Sequence, residues 1–172
     1  MAKEDPFDPY AVLSALDDRG VNYIVIGAIG RVIHGSDELT DGIDIVPSTR
    51  EGNLGRLGMA LDDLTARRPD GEPPDLDRDL GRDAVLELST SAGELKVVLK
   101  PAGTRGFDDL RRDASREPLG RGVRPSVASL GDHARMLAAL DRERDQEALR
   151  TVRRLIELER GRSRSRGLYI ER

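Results

Sequence analysis

The chain has 172 residues, of which 37% are apolar, 35% charged and only 3% aromatic, and its formal net charge is −4. That length suits one ordinary domain with a core of Leu, Val, Ile and Ala, and the lack of cysteine excludes disulfides and thiolate metal sites. The net acidity argues against nucleic-acid binding by the domain as a whole; the polar start MAKEDPFDPY and the lack of any apolar run near the about 20 residues of a membrane span lead us to expect a cytoplasmic protein with no membrane partner.

Asp8 can N-cap a first helix with Pro9 in its first turn, Val12, Leu13 and Leu16 share one helical face, and Gly20 is a stop. Residues 21–26 form a β-branched run that reads as a strand covered on both faces. A short helix is expected over 28–34, closed by Gly35 and Ser36, and a second strand over 43–46 ends at Pro47. Ser48-Thr49-Arg50-Glu51 fits a capping box, so the next helix is expected to start there, with Leu54, Leu57, Leu61 and Leu64 facing the core. Residues 67–81, rich in Pro, Asp and Arg, read as a long loop with one helical turn.

Residues 84–89 and 95–99 read as a hairpin through Ser91-Ala92-Gly93. A short helix is expected over 107–114. A strand at 123–127 is demoted towards a sheet edge by Pro125. Ser129 can cap a helix over 130–140, and Leu149, Val152, Leu155 and Ile156 line a last one. The domain is taken as 1–159. The remainder, 160–172, runs from Arg160 to Arg172 as RGRSRSRGLYIER and reads as a basic, disordered or weakly docked tail.

Four phrases carry a family resemblance: VIGAIGRVIHGS, TDGIDIVPSTREGNLGRLGMAL, GELKVVLKPAGTRGFDDL and VASLGDHARM. In this order, the chain resembles the DNA polymerase β-like nucleotidyltransferase superfamily over about residues 23–155. It is most similar to the small bacterial members grouped with abortive-infection and toxin–antitoxin systems. The resemblance implies an α/β (α+β) fold, with a mixed twisted sheet flanked by helices and a helical C-terminal end.

It also implies a chemistry. Nucleotidyl transfer uses two Mg²⁺ ions about 3.5–4 Å apart, held by carboxylates and the phosphates of an NTP. Asp-x-Asp on a strand aims both carboxylates into one pocket, because residues i and i+2 face the same way. Here Gly42 stands at the first carboxylate and only Asp44 keeps its place, as the one expected metal ligand. Asp41 has the opposite strand parity, so a bulge is needed to bring it in. In the Gly-x-Leu-Asp phrase that supplies the third carboxylate, Lys96 follows Leu95. Lys96 is expected to pair with Asp44 in place of a metal.

The nucleotide-contacting positions implied are Gly27, Ala28 (where a second Gly or Ser is usual) and Ser36, with Arg105 and Arg135 as cations. Leu137 stands where these relatives carry a lysine. His34 reads as a helix C-terminal cap and His133 as a surface residue.

Three classes of function stay open. One is a degenerate nucleotidyltransferase that still binds nucleotide. The second is an active enzyme rebuilt around Asp41, Asp44 and Glu87 or Glu94, transferring to RNA, protein or a small molecule. The third is a non-enzymatic module with a protein partner, or with RNA or DNA held by the basic tail.

Overall fold

The computed structural model describes residues 6–81 and 85–170, without the side chains of 168–170. Ala84, at the start of the expected hairpin, lies outside the described residues. Seven helices and six strands are described: α1 Pro9–Asp18, β1 Tyr23–Ile26, α2 Gly27–Ile33, β2 Gly42–Pro47, α3 Asn53–Asp63, α4 Leu76–Asp79, β3 Val85–Thr90, β4 Gly93–Val98, α5 Phe107–Leu110, β5 Ser115–Arg116, β6 Ser126–Val127, α6 Leu130–Leu140 and α7 Gln146–Ile170.

The strands form one mixed sheet in the order β3-β4-β2-β1-β6-β5. β1 runs antiparallel to β2 and parallel to β6, while β2 runs parallel to β4. This is the expected mixed α+β architecture. On one face Val25, Ile43, Ile45 and Leu95 pack under α1 and α3. On the other, Ile24, Ile26 and Val46 meet Leu110 of α5 and Met136 of α6. Both faces of β1 and β2 are covered, which is why these strands read as near-continuous apolar runs. α6 and α7 share a third cluster built on Leu130, Leu137, Leu149 and Val152.

Several local expectations hold. Asp8 accepts from the Ala11 N–H at the start of α1, and Ser129 accepts from the Asp132 N–H at the start of α6. The loop over 67–81 contains the single turn α4.

Others are corrected. α3 starts at Asn53, after Gly52 in the left-handed region (φ 81°), not at the Ser48 capping box. Ser48 instead accepts from the Arg50 N–H within the loop. Tertiary bonding overrides the local motif, because buried Asn53 is fixed by distant partners. Its Oδ1 accepts from the Asn22 N–H at 2.8 Å, and its Nδ2 donates to the carbonyls of Asn22 (3.0 Å) and Ser48 (2.7 Å). α5 ends at Leu110 rather than reaching 114. β6 is not an edge: it lies between β1 and β5, and Pro125 precedes the strand, where its carbonyl accepts from Glu117.

The basic segment is helical. α7 continues through it to Ile170, with residues 157–167 exposed. Among the described residues no helix is long and apolar enough to cross a membrane.

Asn53→Ala should lower the unfolding free energy by about 1–3 kcal/mol, since it leaves the carbonyl of buried Ser48 and the N–H of Asn22 without their partner. Urea denaturation of the two proteins measures this.

Candidate functional site

β1 delivers the chain to the site. Ile26, its last residue, pairs in register with Asp44 on β2. Gly27 follows with φ +71°, a backbone that favours glycine. A Cβ there would overlap the Asp44 carboxylate. Gly27, expected as a nucleotide-contacting position, thus makes room for Asp44.

Across the sheet, Asp44 pairs with Lys96 on β4, and Lys96 with Glu87 on β3. All three share one face of the sheet. The expected direct ion pair between Lys96 and Asp44 is corrected. The Lys96 ammonium is 3.8 Å from Glu87, and that pair is largely exposed and worth little. Lys96 still acts on Asp44 through space. Burial pushes the Asp44 carboxyl above its ordinary range, and the charges of Lys96 and Arg31 offset part of that rise.

Gly42, where the resemblance implies a first carboxylate, has a steric reason in the structure. It pairs in parallel register with Glu94. A Cβ at position 42 would stand 2.7 Å from the Glu94 carbonyl oxygen and 2.8 Å from its Cβ. The space for a first carboxylate is filled by the neighbouring strand.

Two adjoining depressions share Asp44, Lys96 and Ala28. The larger, about 370 Å³, lies between the sheet and α6. α6 lines it with His133, Met136, Leu137 and Leu140, an i, i+3, i+4, i+7 stripe. Arg31, Lys96, Lys100 and Arg142 bring four cations to its wall, against two carboxylates, Asp44 and Asp145. The smaller, about 280 Å³, gathers Asp41, Asp44, Glu87 and Glu94 around Gly42. No bulge is needed to bring Asp41 in: β2 begins at Gly42, so Asp41 sits before the strand and strand parity does not govern it.

The remaining expected positions are dispersed. Ser36 is buried and donates to Glu38 at 2.8 Å; Glu38 in turn accepts two bonds from Arg31, both 2.8 Å. These bonds hold the Glu38 carboxyl below its usual range, Arg31 foremost. Ser36 therefore acts on the cleft only through Arg31. Arg105 lines a separate depression beside Phe107. Arg135 is turned off the cleft stripe and bridges Asp109 (3.1 Å) and Asp132 (2.9 Å).

His34 does cap α2, and its Nε2 bonds the Ala128 carbonyl at 2.8 Å. His133 is corrected: it is 1% exposed, not a surface residue. Its ring lies edge-on to His34, with centroids 5.9 Å apart, and its Nε2 has no hydrogen-bond partner among the described residues. Gly30 admits it, since a Cβ there would come within 2.8 Å of the ring. Burial is the main reason its pKa falls to about 3.

Sequence reasoning missed Arg31, Glu38 and His133. A signal existed for Arg31: it follows Gly27 by four residues, on the same helical face.

The residues present do not fit a two-metal centre. Asp44 is one carboxylate beside an ammonium, Gly42 offers no donor, and among the described residues no three His, Asp or Glu side chains are grouped to hold a metal ion.

No family model and no curated protein sequence matches the chain. Solved structures do. TM1012 of Thermotoga maritima, itself only provisionally assigned as a nucleotidyltransferase, superposes with a TM-score of 0.56 at 16% identity, covering 87% of this chain and 96% of that one. The antibiotic-resistance factor ANT(2'')-Ia, whose solution structure is described as revealing substrate-regulated conformation dynamics, gives 0.54 at 15% identity, covering 94% and 92%.

Two outcomes test this geometry. Gly42→Asp should destabilise the fold by about 1–3 kcal/mol through the clash with Glu94, read as a lower urea midpoint with unchanged m-value. His133 should make the fold acid-sensitive. Its folded pKa is depressed, so its contribution is full above about 6.5 and is lost as the pH falls towards about 3. The acid limb of a stability–pH profile should be shallower in His133→Leu.

Proposed function

Starting from a nucleotidyltransferase fold, we propose that this chain is a degenerate nucleotidyltransferase whose cleft between the sheet and α6 binds a nucleotide without a two-metal centre. The observation that carries this reading is the row Asp44–Lys96–Glu87 beside Gly42 packed on Glu94. A cation stands where a metal ligand is needed, and the neighbouring position has no room for one.

Nucleotide binding is supported by the chemistry of the wall. Its four cations suit a polyphosphate. Met136, Leu137 and Leu140 offer apolar area for a base or sugar. Lys96 and Arg31 are the residues assigned to phosphate, on either side of the half-buried Asp44 carboxylate whose ionisation their charges favour. Ala28, small and shared by both depressions, leaves the ligand room beside the backbone.

A second reading, an active enzyme rebuilt around Asp41 and Asp44, is favoured by one observation. The smaller depression brings Asp41, Asp44, Glu87 and Glu94 to a common wall. Its acceptor would be RNA, a protein side chain or a small molecule, and it would use Mg²⁺ and an NTP.

Calorimetric titration with each NTP, in EDTA and in Mg²⁺, separates these. The degenerate reading expects binding in EDTA that weakens roughly tenfold in Lys96→Ala, a loss of about 1.4 kcal/mol. It also expects no transfer of label from α-labelled nucleotides to the protein or to RNA. Transfer by the native chain that disappears in Asp44→Ala would establish the rebuilt enzyme instead. No nucleotide binding in either medium would leave a partner-binding module.

A further inference from the structure

We propose that the solvent face of α7 is a track for the phosphate backbone of a nucleic-acid strand. This does not rest on the reading of the cleft. α7 buries Leu149 and Val152 against α6. Arg150, Arg153, Arg154, Arg160 and Arg164 fall within roughly a third of the circumference at 3.6 residues per turn, on the side away from Val152, with Leu149 bordering the arc. All five are exposed. Among the described residues none has a carboxylate at ion-pair distance, although the chain as a whole carries a net charge of −4.

The stripe spans about 21 Å at 1.5 Å per residue. That length matches the axial rise of about six base pairs of a duplex at 3.4 Å each. Glu157 is the acidic residue within the stripe, and no apolar residue lies in it. An acidic protein partner would call for an apolar centre to the interface, with charge at the rim. A stripe of charge alone fits a uniform polyanion better.

The scarcity of aromatic residues points the same way. Without stacking side chains, recognition falls to the phosphates and carries no sequence preference. The surface is therefore wider than the basic segment beyond residue 159. It begins within the folded part of the helix, at Arg150, and a rigid helix keeps the arginines in line.

The test is fluorescence anisotropy of labelled single-stranded RNA and duplex DNA of about 20 nucleotides, over a KCl series. The full chain should bind at low salt, with log affinity falling linearly against log salt at a slope of about −3 to −4. Arg153→Glu/Arg160→Glu/Arg164→Glu should weaken binding roughly tenfold or more and flatten the slope. The neutral form Arg153→Gln/Arg160→Gln/Arg164→Gln should lose less.

A charge-matched control on other surfaces, Arg112→Glu/Arg124→Glu/Arg144→Glu, should change affinity by less than about threefold. Far-ultraviolet circular dichroism confirms that the variants stay helical. Equal losses in stripe and control variants would overturn the proposal. So would no binding at low salt, or competition by polyglutamate as effective as that by unlabelled RNA.

Discussion

The parallel pairing of β2 with β4 is the constraint on which the site depends. It sets Asp44 opposite Lys96 and Gly42 opposite Glu94. Neither row can be altered alone, because a parallel ladder fixes the register of both strands along their length. Gly42 is held to glycine by the backbone of Glu94 lying against its Cα. The missing carboxylate is thus part of how the sheet packs. Putting a side chain back means moving a strand.

The same pairing shapes the electrostatics. Asp44 lies partly buried between the end of β1 and the middle of β4, above the bare backbone of Gly27. A carboxylate so placed resists ionisation unless cations stand near. Lys96 and Arg31 provide that charge from two sides, one on the neighbouring strand and one on α2. Arg31 is itself oriented by Glu38, and Glu38 by Ser36. The result is a cleft in which cations outnumber the carboxylates Asp44 and Asp145 on the wall, although Arg31, Lys96 and Arg142 each stand beside a carboxylate.

α6 shows how far residue types alone carry the site. Its helix and its Ser129 cap are legible from spacing and from the Ser-Leu entry. Which side chains reach the cleft is a matter of rotation about the helix axis. His133 and Leu137 turn inward, and Arg135 turns to Asp109 and Asp132. A histidine in a first helical turn reads as a surface residue until Gly30 of another helix is seen to leave space for its ring. Arg31 shares a helical face with Gly27, yet the bonds to Glu38 that orient it lie seven residues on, across the turn after α2. Asn53 did the same to α3, where distant carbonyls outweighed a good local capping signal.

By itself the sequence determined the order and type of most elements (not the short strand β5 or the helical run of α7 through the basic segment), the covered strands β1 and β2, the caps of α1 and α6, and the residues at Gly42 and Lys96. These follow from periodicity, from capping chemistry and from residue identity, all of which are local along the chain. Tertiary structure decided that Gly42 has no room for a side chain, that Lys96 pairs with Glu87 while influencing Asp44, that β6 is interior, and that His133 is buried. Each of these depends on which strand or helix lies beside which, and that is set by the packing of the whole core, not by any segment of it.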